Sequence, residues 1–149
     1  MLIYRITTAK WADKLTGSNQ PARWNSFGRN VLYAAQSRSL ACLENIVHRN
    51  KDGLNLLFKT VEIEVPENLT ITLIDEANLI KQWSDFKNIE YTRKLGDDWY
   101  ASMKSCILKV PSVIIDQEFN YLINTKHPDF PQIKILKIED FNFDSRIKE

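Results

Sequence analysis

Hydrophobic and polar positions alternate strictly along Thr60-Val61-Glu62-Ile63-Glu64-Val65 and stop at Pro66. This predicts a half-buried β-strand ended by a residue that cannot donate to a ladder. The alternation resumes beyond Glu67-Asn68 in the β-branched run 69–74, so these two strands are expected to form a hairpin or lie side by side. Residues 2–6 and 31–35 read as short strands, 107–115 as a strand interrupted by Pro111, and 133–138 as the strand that closes the sheet before a polar tail. Helical periodicity is rarer. Residues 8–16 suit a short helix running into Gly17-Ser18-Asn19-Gln20-Pro21. Residues 40–48 form the body of a second, with Ser37 or Ser39 as its cap, and 89–104 carry a third, with Trp99, Met103 and Ile107 on one face. Strands outnumber helices without alternating regularly with them. The expected class is α+β, a compact mixed β-sheet core with flanking helices.

No repeat, linker or low-complexity tract divides the 149 residues, which are read as one domain over 1–149. The apolar fraction of 44% argues for a packed globule rather than a disordered chain. Twenty basic and 19 acidic residues leave a net charge of +1. That balance offers no footprint for nucleic acid or an anionic membrane, although a small anion needs only one or two well-placed Arg side chains. The two cysteines, Cys42 and Cys106, have no metal-ligand spacing. The start, Met-Leu-Ile-Tyr-Arg, lacks the basic and apolar regions of a signal peptide, and no run is long enough to span a membrane. The expected location is the cytoplasm.

Glu44 is the residue that conflicts with its surroundings. With Leu40 at zero and about 100° per residue, Leu40, Ala41, Leu43, Ile46 and Val47 fill one apolar arc, and Glu44 falls inside it. An unpaired carboxylate there is costly, so it needs a partner, a ligand or a proton. Periodicity alone favours a structural ion pair, to Arg5 or Arg23, or a helix shorter than 40–48.

Three ordered blocks change that weighting. Residues 22–44 contain Arg23-Trp24-Asn25, then Gly28, Tyr33, and Ser37-Arg38-Ser39-Leu40-Ala41-Cys42-Leu43-Glu44. Gly96-Asp97-Asp98-Trp99 is followed by Val110-Pro111-Ser112 and by Asn120-Tyr121-Leu122-Ile123-Asn124-Thr125-Lys126-His127-Pro128-Asp129-Phe130. The end carries Phe143-Asp144-Ser145-Arg146. Together these resemble the RES domain of toxin–antitoxin pairs over essentially the whole chain, with Thr125 standing where the family more often has Pro.

The resemblance implies an ADP-ribosyltransferase-like fold and a toxin that uses NAD as substrate, with no metal. It maps active-site positions onto Arg23, Tyr33, Glu44 and Ser112, with Arg5 as a further contributor and Asn25 as a turn residue that could touch the ligand. The residue types suit the chemistry. Nicotinamide is already a cationic leaving group, so cleavage passes through oxocarbenium-like character that Glu44 would stabilise. Arg23 and Arg5 would clamp the pyrophosphate, Tyr33 would stack on nicotinamide or orient the ribose, and Ser112 would hydrogen-bond the amide or ribose. Each has an ordinary alternative: Tyr33 as core, the two Arg as surface residues, and Ser112 as a strand-end hydroxyl satisfied by backbone. Trp24 and Trp99 read as packing residues, Asn124 and His127 as turn formers, and His48 as a contact of the helix C-terminus. The resemblance further implies an antitoxin partner with a helix-turn-helix region that alone touches DNA, and a homodimer. Three functions stay open: NAD depletion by hydrolysis or phosphorolysis, mono-ADP-ribosylation of a protein, and a non-catalytic NAD-binding or partner-docking module.

Overall fold

The computed structural model describes residues 1–148. Seven strands form one sheet: β1 (Leu2–Thr8), β2 (Val31–Ala35), β3 (Phe58–Glu64), β4 (Ile71–Leu73), β5 (Ile107–Pro111), β6 (Phe119–Asn124) and β7 (Lys134–Phe141). Their order is β4-β5-β6-β2-β1-β3-β7, antiparallel throughout except for the β4–β5 pair. Two α-helices, α1 (Arg38–His48) and α2 (Ile89–Ser102), complete the α+β architecture. Among the described residues, no helix is long and apolar enough to cross a membrane.

Strand alternation sorts the side chains into two faces. Val31, Leu108, Val110 and Leu122 pack with Trp24, Trp83 and Trp99 beneath α2, while Ile6, Ala35 and Phe58 pack with Leu40 and Ala41 of α1. Val31 and Ala35 share parity on β2, so both helices cover the same face. Ile3, Val61, Ile63, Ile107 and Ile123 bury the opposite face. Between its halves the sheet is thinly joined: β1 and β2 register only at Tyr4 opposite Ala35, whereas β1 runs beside β3 from Leu2–Glu64 to Thr8–Phe58.

The expected pairing of the alternating run with the run after Pro66 does not occur. β3 lies between β1 and β7, and β4 lies at the far edge beside β5, with four strands between them. Beyond Pro66 the chain turns under the sheet and buries Leu69 in the opposite-face cluster instead of folding back. The expected helix over 8–16 is reduced to a single 3-10 turn at Ala9–Trp11. β5 ends at Pro111, and 133–138 extends to the edge strand β7.

Candidate active site

Residues 22–26, which lead into β2, are fastened to one stripe of α2. Thr92 Oγ1 donates to the Arg23 carbonyl (2.6 Å) and Arg93 Nε to the Ala22 carbonyl (2.8 Å). Asp97 Oδ1 accepts the Ser26 N–H (2.9 Å). Gly96 lies so close to Trp24 that a Cβ there would sit 2.7 Å from the Trp24 carbonyl carbon and closer still to its oxygen. Positions 92, 93, 96 and 97 recur on one side of a helix. The Gly-Asp pair is therefore a docking device: Gly96 admits the backbone and Asp97 satisfies it.

Inside the turn, buried Asn25 donates through Nδ2 to the carbonyls of Gln20 (3.0 Å) and Ser26 (3.1 Å). Its Oδ1 accepts the Tyr33 hydroxyl (2.6 Å), and Tyr33 Oη accepts the Trp24 N–H (3.2 Å). Burial holds the Tyr33 phenol far above its ordinary range, so it stays protonated and can serve as the donor. Both residues thus commit their polar atoms to shaping the turn that carries Arg23.

Arg23 leaves this turn with Nη1 buried and, among the described residues, without a hydrogen-bond partner. Burial lowers its pKa, the Glu44 carboxylate opposes that effect, and the nearby Arg93 guanidinium adds to it. Glu44 and Arg93 also act on Tyr33. Arg23, Tyr33 and Glu44, drawn from a turn, a strand and a helix, are thereby brought into one electrostatic neighbourhood on the helix-covered face.

Glu44 is not buried in an apolar seam. Its side chain is 31% exposed, and of the α1 residues only Leu40 and Ala41 are fully buried. Its ion-pair partner is neither Arg5 nor Arg23 but His48, one turn on, with Nε2 3.4 Å from Oε2. The hydrogen bond to Glu44 raises the His48 pKa more than partial burial lowers it. Next to Glu44, Asn45 Nδ2 donates to the Ile6 carbonyl of β1 (2.8 Å), which fixes α1 on the sheet. At the other end of α1, Ser37 is the cap, accepting the Leu40 N–H (3.1 Å) and donating to Glu118 Oε1 (2.6 Å).

Ser112 is buried just past β5, where its Oγ accepts the N–H groups of Ile114 and Ile115, each at 3.0 Å. Those two isoleucines pack in the α1 cluster, so Ser112 shapes a loop beside α1 and keeps only its hydroxyl hydrogen to donate. Arg5 stands apart. It shares strand parity with Ile3, on the face away from α1, and its Nη1 is buried and unpartnered. Desolvation alone lowers its pKa, with no charged neighbour contributing.

Several motif residues prove structural. His127 Nδ1 accepts the Asp129 N–H (3.0 Å), which places the hydrogen on Nε2, and that nitrogen donates to the Met103 carbonyl (2.9 Å). Asn124 Oδ1 accepts the Lys126 N–H (2.9 Å). Together they close the end of α2, where Met103 takes a left-handed φ of 55°. Thr125 donates its N–H to the Asn30 carbonyl (3.3 Å), a bond that Pro could not make. Trp24 and Trp99 pack with Trp83. The residues unrecognised in the sequence are Thr92, Arg93, Asn45 and the His48–Glu44 pair. Only the last had a visible signal, its i,i+4 spacing.

Residues 2–144 match the RES domain family. A protein of Sphingobium sp. (strain YBL2) named Prs ADP-ribosylating toxin is 39% identical over 91% of this chain and 88% of its own length. Two proteins named Toxin Res, from Photorhabdus laumondii and Pseudomonas putida, are 35% and 34% identical over 99% of this chain and 97% and 99% of theirs. The fold is similar to that in the crystal structure of the M. tuberculosis MbcT–MbcA toxin–antitoxin complex, with a TM-score of 0.76 at 15% identity, covering 95% of this chain and 84% of that one. On the match from residue 2 to 144 and its full-length relatives, this chain belongs to the RES-domain toxin family.

Proposed function

We propose that this chain is a toxin that breaks the nicotinamide–ribose bond of NAD, with Glu44 as the carboxylate that stabilises the ribosyl cation. One observation carries the reading: Arg23 holds a buried guanidinium nitrogen without a partner among the described residues, in the neighbourhood of the part-exposed Glu44. A desolvated cation with an open donor suits a pyrophosphate oxygen, because charge-assisted hydrogen bonds to phosphate are strong. A nearby carboxylate suits the sugar, since positive charge develops on C1′ as the glycosidic bond lengthens.

In this reading the C1′–N bond breaks with its electron pair leaving on nicotinamide, which departs neutral. Glu44 offsets the ribosyl charge and accepts a ribose hydroxyl. Tyr33 and Asn25 hold the turn that aims Arg23, and the part-exposed Tyr33 ring is the surface for nicotinamide. The Ser112 hydroxyl hydrogen is available to the amide or ribose. Arg5, on the opposite face of the sheet, has no part in this reading. The cation is then captured by an oxygen nucleophile that loses its proton. Water or phosphate as acceptor depletes NAD. A protein side chain as acceptor is the second reading, favoured by the name of the 39% identical relative.

Pure protein incubated with NAD in water and in phosphate, with nicotinamide followed by chromatography, tests the bond-breaking step. Labelled NAD in a lysate separates the acceptors. Bulk loss of NAD supports depletion, and one labelled protein band with NAD persisting supports transfer. No nicotinamide under any of these conditions overturns the enzyme and leaves a docking module. By analogy with the complex of the structural neighbour, we propose an antitoxin partner for this chain. The family resemblance alone adds a helix-turn-helix region on that antitoxin, making any DNA contact, and a homodimeric toxin. The site of action is the cytoplasm.

A further inference from the structure

Holding the Ala22 carbonyl occupies only the Nε of Arg93. Arg93 lies in the first half of α2, with its side chain only 21% exposed. Its Nε donates to the Ala22 carbonyl, the residue before Arg23, and the adjacent Thr92 holds the Arg23 carbonyl itself. Its other recorded partner is Glu90, through Nη1 at 3.1 Å. Glu90 is 80% exposed, so that pair neutralises little. Among the described residues, Nη2 has no hydrogen bond.

Two mostly buried arginines therefore meet at one turn, Arg23 within it and Arg93 bonded to the residue before it. Arg23 presents an unpartnered nitrogen, and Arg93 has a spare one. Like charges held together at reduced solvent exposure repel. The fold nevertheless enforces the approach through the Arg93–Ala22 bond. An anion of more than one charge would relieve that repulsion by accepting from both groups.

We infer that Arg93 is a second binding residue for the diphosphate of the substrate, sharing it with Arg23, so that the site selects a dinucleotide or ADP-ribose over uncharged nucleosides. This rests on the NAD reading above and adds a residue and a selectivity to it. Nothing in the bond-breaking step depends on Arg93. Its effect belongs in binding of the charged substrate and not in the turnover rate of bound substrate.

The experiment uses calorimetry with ADP-ribose and with adenosine, on the wild type, Arg93→Gln and Arg93→Lys. A parallel measurement gives KM and kcat for NAD. The glutamine variant should bind ADP-ribose about tenfold more weakly or worse, equivalent to about 1.4 kcal/mol, with adenosine binding unchanged. The lysine variant loses Nε but keeps a charge and should recover most of the affinity. For NAD, KM should rise in Arg93→Gln with kcat within about twofold. The inference fails if the wild type does not bind ADP-ribose. It also fails if Arg93→Gln binds it as tightly as the wild type, or if glutamine and lysine variants are equally weak, which would mark Arg93 as a support for Ala22 alone. A wild type that binds ADP-ribose with this pattern yet releases no nicotinamide would sink NAD cleavage and leave the diphosphate site standing.

Discussion

Replacing Gly96 by Ala tests the claim that α2 builds the site. The new Cβ would meet the Trp24 carbonyl carbon at 2.7 Å and the Trp24 Cα at 3.3 Å. Ordinary contacts lie at about 3.5–4.0 Å, and the nearest obstacle is the backbone oxygen of Trp24, closer than its carbon, so helix and turn must part by well over an ångström. Three hydrogen bonds span that gap, at 2.6, 2.8 and 2.9 Å. Each contributes about 1 kcal/mol, and overpacking adds about 1–3 kcal/mol. The better helix propensity of Ala returns about 1 kcal/mol. The expected net loss is about 3–5 kcal/mol. Urea unfolding followed by tryptophan fluorescence reads it directly, because Trp24, Trp83 and Trp99 share the cluster beneath α2. At an m-value of about 2 kcal/mol/M the midpoint should fall by about 1.5–2.5 M. Asp98→Ala, on the same helix but paired only with exposed Lys94, should change stability by less than about 0.5 kcal/mol. A Gly96→Ala loss below about 1 kcal/mol would refute the docking argument.

Other perturbations probe separate parts of the account. Tyr33→Phe removes the hydroxyl shared by Trp24 and Asn25 and leaves two groups unpaired, so thermal unfolding should show a loss of about 2–3 kcal/mol. Glu44→Gln should lower the His48 pKa, read by NMR titration. Because that pKa is raised in the folded state, the pair's small stabilisation is complete below the unfolded His value of about 6.5 and is lost as pH rises through the folded value. An unchanged His48 titration would dissolve the pair. Burial pushes the Cys106 thiol up to about 12, so alkylation at neutral pH should reach Cys106 only after unfolding. Rapid labelling of native Cys106 would contradict its placement.

Local patterns were legible where local forces decide. Ser37 caps α1 because its hydroxyl meets an orphan N–H three residues on. The 31–35 strand ends where the chain needs to enter that helix. β6 escaped detection because Tyr121–Asn124 are buried on both faces, which erases alternation. The pairing of β3 with β4 failed because alternation reports which face a strand buries and not which strand lies beside it. The helical wheel overstated the burial of Glu44 by treating α1 as evenly packed, whereas Val47 in its last turn is 56% exposed. Arg23, Tyr33 and Glu44 were found through the family resemblance. Arg93 was not, because its meaning lies in a carbonyl 71 positions away.

The central claim is that Glu44 promotes cleavage of the nicotinamide–ribose bond of NAD in a site anchored by Arg23. Nicotinamide release from NAD should be measured for the wild type and Glu44→Gln, with folding of both checked by circular dichroism. The account predicts a loss of about 10²–10³-fold in kcat, as for other removed transition-state charge partners, with ADP-ribose binding retained. Release by folded Glu44→Gln at the wild-type rate would contradict it.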